Sequence, residues 1–224
     1  MANTVTLAQL RTRSSQRADM ENSEFVSPEE LLSYINASYA ELHDILVSKF
    51  EDYYTISSLF SIASGNTSPL PTDFYKLRGV DFKVDANNWI SVSKFNFANR
   101  NTISRSSVSR SNKSAQYRVI GDNLMIEPES SAVGDYRIWY TPVYTPLVLE
   151  TDTVNGLNSF EEYIVIDVAI KMLAKEESSV THLVKEKEAM GRRIDLMAQN
   201  RDSGQPEKIT DTSSYDYNFG DRIF

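Results

Sequence analysis

Apolar residues recur at three- and four-residue steps near both ends of the chain and at two-residue steps between them. Leu31, Leu32, Ile35, Tyr39, Leu42, Ile45, Leu46 and Phe50 predict an amphipathic helix of about 22 residues. Ser27 with Glu30 forms a capping box ahead of it, and Pro28 takes the first helical position. A shorter polar helix is expected over about Thr6 to Met20, where Leu7, Leu10 and Ala18 make one narrow apolar edge that needs a neighbour to pack on. In the last third, Ser159 with Glu162 reads as a second capping box. The helix behind it runs through Phe160, Tyr163, Ile164, Ile166, Ile170 and Leu173, apolar on more than one side, with Asp167 and Lys171 four apart and able to pair. A break is expected at Glu176 to Ser179, then a further helix through Val180, Leu183, Val184, Lys187, Met190, Ile194 and Met197 to about Asn200.

Between these helices the period falls to two. Tyr54, Ile56, Phe60 and Ile62 alternate with Thr55, Ser57 and Ser61, the pattern of a half-buried strand. Gly65 to Pro69 is a loop; Leu70 to Tyr75 reads as a helical turn capped by Thr72, leading to a strand near Arg78 to Val84. Asp85 to Asn88 is a turn and Trp89 to Val92 a short apolar element, with a helical turn over Ser93 to Arg100. The serine- and asparagine-rich stretch that follows predicts an exposed loop. Tyr117 to Ile120 and Leu124 to Ile126 flank Gly121-Asp122-Asn123 as a hairpin, and Tyr136 to Thr141 is another strand, ended by Pro142 and Pro146. That makes four or five strands, in one antiparallel sheet or a small sandwich.

Composition removes several kinds of chemistry. With no cysteine among 224 residues, disulfides, iron–sulfur clusters and thiolate zinc sites are out, and two histidines, His43 and His182, do not make a histidine-rich metal site. The polar N-terminus carries no signal-peptide pattern, and the most apolar run, Tyr163 to Leu173, contains Asp167 and Lys171 and is too short to span a bilayer. A cytoplasmic place of synthesis is expected. No phosphate loop, nucleophile elbow or His-Glu-x-x-His pair occurs, and each histidine sits on a helix face. Carboxylate pairs such as Asp44 with Glu51, or Glu161 with Glu162, are of the kind that solvated helix faces carry. No catalytic residue, metal ligand or cofactor is nominated.

Charge is more informative. Lys94, Arg100, Arg105, Arg110, Lys113 and Arg118 fall in a stretch without Asp or Glu, which leaves −14 on the remainder of a chain whose net charge is −8. This basic loop suits an acidic partner surface or phosphates; Phe95 and Phe97 at its start give weak support to base stacking. Tyr215, Tyr217, Phe219 and Phe224 interleave with polar residues at the C-terminus without a helical period, and suit an arm that buries aromatics on another chain.

The layout resembles tailed-bacteriophage head–tail adaptor (connector or neck) proteins. The likeness lies in Leu7 to Arg13, Arg17 to Val26, Glu30-Leu31 and Tyr34-Ile35-Asn36, in Leu70 to Asp81 and Tyr136 to Pro142, and in the apolar helix after Phe160 with its charged continuation and polar tail. It implies an α+β fold: a helical bundle, from N-terminal helices plus long C-terminal helices, with an inserted small antiparallel β region and an extended C-terminal arm. The divisions expected are N-terminal helices over 1–52, the β region with the basic loop 94–118 over 53–150, C-terminal helices over 151–200 and the arm over 201–224. The resemblance also implies a non-enzymatic virion protein of the neck. It would form a homo-oligomeric ring, commonly of twelve copies, under the portal protein, dock tail or nozzle proteins, and pass DNA at genome ejection without specific binding. The arm's four aromatics are then expected on the portal, and the basic loop on the tail or channel side. The alternatives are a nucleic-acid-binding module using residues 94–118 and, more remotely, a glycan hydrolase with paired carboxylates.

Overall fold

The computed structural model describes residues 4–21, 25–100, 115–155 and 160–199. Strand β1 (Thr4–Thr6) leads into helix α1 (Leu7–Arg17), where the Thr6 hydroxyl accepts from the Gln9 backbone N–H and Gln9 Oε1 accepts from the Thr6 backbone N–H, a full capping box. Helix α2 (Pro28–Lys49) starts as the sequence predicts, with Ser27 accepting from the Glu30 amide. After the strands come α3 (Glu161–Lys175) and α4 (Thr181–Gln199), separated by a break at which Glu177 takes φ 59°. The N-cap of α3 is Phe160, without a side-chain bond, and the predicted cap Ser159 lies outside the described residues.

Helix α3 is central. It carries Tyr163 to Ala169 fully inside, and α1, α2 and α4 pack round it, giving one core that includes Leu7, Leu10, Ile35, Leu46, Ile164, Met172, Leu183 and Ile194. A small ribbon joins this layer: β1 pairs antiparallel with β9 (Thr153–Asn155). Asn36 fastens the incoming loop to α2, donating to the Leu147 carbonyl at 3.0 Å and accepting from the Leu147 amide at 2.8 Å.

The remaining strands are β2 (Ile56–Ile62), β3 (Thr67–Pro69), β4 (Phe74–Lys83), β5 (Trp89–Lys94), β6 (Gln116–Ile120), β7 (Asn123–Glu127) and β8 (Gly134–Pro142). They form one sheet in the order β2-β8-β4-β5-β6-β7-β3, whose two ends approach each other. The sheet closes on its own core of Ile62, Val80, Phe82, Val92, Leu124, Ile126 and Tyr136.

This overturns the expected helical bundle with a small antiparallel insertion. The described residues are 42% helix and 29% strand, with a nearly closed, barrel-like sheet of seven strands and four helices of 11, 22, 15 and 19 residues that make no long-helix bundle. Nor is the sheet purely antiparallel, since β5 and β6 run parallel. The strands were undercounted for local reasons. Bulges between Phe74 and Lys76 and between Leu77 and Gly79 break the two-residue period of β4, so that a ten-residue strand read as a helical turn followed by a short strand. A parallel pair also needs a long connection, and the residues between β5 and β6, read in sequence as a helical turn over Ser93 to Arg100 and then a loop, hide the pairing; the turn is present at Phe97–Asn99.

Candidate functional site

The helical layer is held by a polar network rather than by apolar contact alone. Asp167, 4% exposed, accepts from Ser38 at 2.6 Å and pairs with Lys171 at 2.6 Å, as the i, i+4 spacing predicts, and with Lys187 of α4 at 2.8 Å. Lys187 also reaches Glu41, which accepts from the Tyr163 hydroxyl at 2.6 Å. Burial pushes the Asp167 carboxyl up, but the hydrogen bonds from Lys171, Lys187 and Ser38 outweigh it and hold the group below the ordinary carboxylate range. Lys187 is raised: burial lowers it, and Asp167 and Glu41 more than offset that.

The helical layer meets the barrel at His43. Its ring is 4% exposed, stacks on Tyr54 at 4.7 Å, and lies within 6.0 Å of Tyr75 and 6.5 Å of Tyr144, whose ring Tyr39 meets edge-on. A cavity of about 170 Å³ lies there, lined by Ala40, His43, Asp44, Tyr75, Val143 and Tyr144. Burial lowers the imidazole pKa, against the opposing pull of Asp44. Beside this joint Arg78 binds Glu51 and Asp52, while Lys76 reaches Glu51 at 3.4 Å. These ties explain the carboxylates singled out in the sequence: Asp44 serves the His43 joint, Glu51 the arginine, Glu161 faces Arg13 at 3.9 Å, and Glu162 faces Arg17 at 3.9 Å. Each thus faces a cation or the His43 joint, while the buried Oε2 of Glu161 has no hydrogen-bond partner among the described residues.

Of the six basic residues, Lys94, Arg100 and Arg118 are described; Arg105, Arg110 and Lys113 lie outside the described residues, as do Tyr215, Tyr217, Phe219 and Phe224 of the C-terminal arm. Lys94 ends β5, exposed. The Arg100 guanidinium sits 4.4 Å from the centre of the half-exposed Phe97 ring and Arg118 sits 5.5 Å from it, each donating at 3.1 Å to a carbonyl, of Phe97 and Phe95 respectively. Phe95 is buried instead. The structure thus gathers two arginines on one aromatic ring at the mouth of the β5–β6 crossover. With guanidiniums already against that ring, it makes a poor stacking platform for bases.

The sequence reading missed two features. On the barrel wall Arg137 lies between Trp89, at 4.5 Å, and Trp139, at 4.7 Å, and donates to Asp81, which also accepts from the Trp139 indole at 2.7 Å. The alternation of β8 carried the signal, since Arg137 and Trp139 fall on one face and Tyr136, Ile138 and Tyr140 on the other. The second is the open end of the sheet. Among the described residues β2 pairs only with β8, and between it and β3 runs a cleft of about 230 Å³ lined by Leu59, Phe60, Leu70, Pro71, Leu124 and Ile138. Among the described residues no cluster of metal-ligating side chains occurs, and no helix is long and apolar enough to cross a membrane.

The fold is thus two cores joined at His43, with an outward-facing cluster on the barrel wall. The SU10 adaptor protein family matches residues 5–209. The chain belongs to that family. No curated protein compared with the adaptor matches it. The family is one of phage structural proteins and not of enzymes, so the adaptor is a structural component of a phage particle that interacts with other phage structural proteins.

Proposed function

We propose that the adaptor forms a ring beneath the portal, of twelve copies as in the head–tail adaptors it resembles, extends the DNA channel and receives tail proteins below. The observation that carries this reading is the family match across residues 5–209. Charge supports it: an acidic body repels phosphates and lets DNA pass, while Arg100 and Arg118 meet on Phe97 and Lys94 stands exposed at the end of β5 opposite Tyr117, a separate positive surface for an acidic neighbour. Exposed apolar side chains, Val148 and Leu149 beside α1 and Leu196 and Met197 on α4, suit contacts between subunits. The C-terminal arm, with Tyr215, Tyr217, Phe219 and Phe224, docks on another chain of the same assembly.

Negative-stain electron microscopy of the purified chain, alone and mixed with its portal, tests the ring. Closed rings in either sample support it; single subunits in both end it. Deleting residues 205–224 tests the arm, which predicts lost attachment; unchanged assembly on the portal overturns that part.

A further inference from the structure

Edge strands are usually short, charged or interrupted by proline, because a bare edge invites other strands. Strand β2 has none of these protections. Ile56-Ser57-Ser58-Leu59-Phe60-Ser61-Ile62 is seven residues without charge or proline, it lies at the end of the sheet, and Leu59 on it is 69% exposed. The strand nearest its free edge does not cover it: β3 is three residues long and ends at Pro69, which has no amide to donate. What lies between is the apolar cleft floored by Phe60, Leu124 and Ile138. The sheet has seven strands, and an eighth at this edge brings it to the number at which a barrel is just filled by side chains.

We propose that the free edge of β2 takes residues Tyr215 to Phe219 of the neighbouring copy as an eighth strand. The segment Tyr215-Asp216-Tyr217-Asn218-Phe219 alternates aromatic and polar residues with a period of two, so as a strand it presents three aromatic rings on one face. Those rings suit the cleft floor, and Asp216 and Asn218 then stand on the outer face beside Leu59. Backbone hydrogen bonds supply affinity and the alternate side chains supply register, the usual division in strand addition. The tail also starts in the right place. Asp195 near the end of α4 pairs with Lys49 at 3.2 Å, and Lys49 ends the helix that feeds β2 through Tyr53 and Tyr54. From there the 15 residues between Gln199 and Tyr215 reach about 50 Å when extended, enough to pass to an adjoining copy. The assignment to the neighbour rests on the ring reading, because a ring needs a head-to-tail contact that closes.

The absence of native cysteine makes a disulfide scan clean. Full-length Leu59→Cys is mixed with full-length chains carrying cysteine at one of positions 215 to 219, oxidised mildly, and the mixed disulfides are mapped by mass spectrometry. In parallel, a peptide of residues 208–224 carrying the same substitutions is added to full-length Leu59→Cys, which reads the acceptor edge whether or not rings form. Mixed disulfides about tenfold more abundant at 216 and 218 than at 215, 217 and 219, in both experiments, are expected of a strand lying with its rings inward. No disulfide with the peptide, or equal yield at all five positions, overturns the proposal even where micrographs show rings. A double variant, Leu59→Cys with Asn218→Cys, that closes only within one chain overturns the assignment to the neighbour. Peptide disulfides without rings leave the edge as the acceptor and sink the ring reading instead.

Discussion

Burying a carboxylate costs several kcal/mol unless partners repay it, and Asp167 is repaid by two lysines and a serine. Removing the carboxylate takes from Lys171 and Lys187, both partly buried, the anion they share, and leaves Lys187 with Glu41 and Lys171 with Ser38. Asp167→Ala is therefore expected to cost about 3–5 kcal/mol in a urea titration, whereas Arg78→Ala, whose partners Glu51 and Asp52 are exposed, costs about 1 kcal/mol or less. The sign with pH follows from the lowered carboxyl pKa. The stabilisation is fully present above the unfolded value of about 3.9 and is lost as pH falls through the lower folded value. Urea midpoints measured downward from neutral pH should decline at the acid end in the parent, and less steeply in Asp167→Asn. Gly134 is constrained in another way. Its φ is 150°, and a Cβ there comes within 2.6 Å of the Phe82 ring, so Gly134→Ala is expected to lower stability by about 1–3 kcal/mol, read as a drop in melting temperature.

At the scale of elements, what could be read from sequence depended on whether a period ran uninterrupted. The Ser27 cap and the period of α2 place its start and most of its buried face, although Glu30 turns to Tyr34 and Lys175 instead of closing the expected capping box, and the i, i+4 pairing of Asp167 with Lys171 is present. Strands β6 and β7 form the hairpin that Gly121-Asp122-Asn123 predicts. The barrel was not legible, because closure depends on pairings between strands far apart in sequence, such as β4 with β8, and on bulges that erase alternation. The candidate surfaces were legible as composition only. Six basic residues announced a patch, but that Arg100 and Arg118 meet on Phe97 needs the β5–β6 pairing. The His43 joint was also invisible, since Tyr54, Tyr75 and Tyr144 come from three different segments. It yields a prediction of opposite pH logic to a paired histidine. Because burial lowers the His43 pKa, its contribution is complete above the unfolded value of about 6.5 and is lost as pH falls below it. His43→Phe, which keeps the ring stack with Tyr54 and extends toward the adjacent cavity, should cost less than about 1.5 kcal/mol at pH 7.5 and flatten the fall in melting temperature between pH 7 and pH 5.

At the scale of the whole molecule, charge is divided between a body and a patch, and the two parts predict different salt behaviour. A net charge of −8 disfavours DNA binding through overall charge, which is what the proposed conduit reading requires. A patch that meets an acidic protein neighbour should instead make assembly salt-sensitive without making the fold so, because Lys94 is exposed and, among the described residues, Arg100 and Arg118 bond carbonyls and one ring and no carboxylate. The triple variant Lys94→Ala, Arg100→Ala, Arg118→Ala is thus expected to melt within about 2 kcal/mol of the parent, given the modest worth of exposed cation–ring contacts. Its association with neighbouring phage proteins should weaken at low salt and become nearly flat between about 50 and 500 mM salt, where the parent weakens steadily through screening. Sedimentation of mixed assemblies across that salt series measures both. If the variant keeps the parent's salt slope, the patch is not the contact. If the parent monomer instead binds duplex DNA with a steep salt dependence that the variant lacks, the patch grips nucleic acid and the reading of the adaptor as a passive conduit fails.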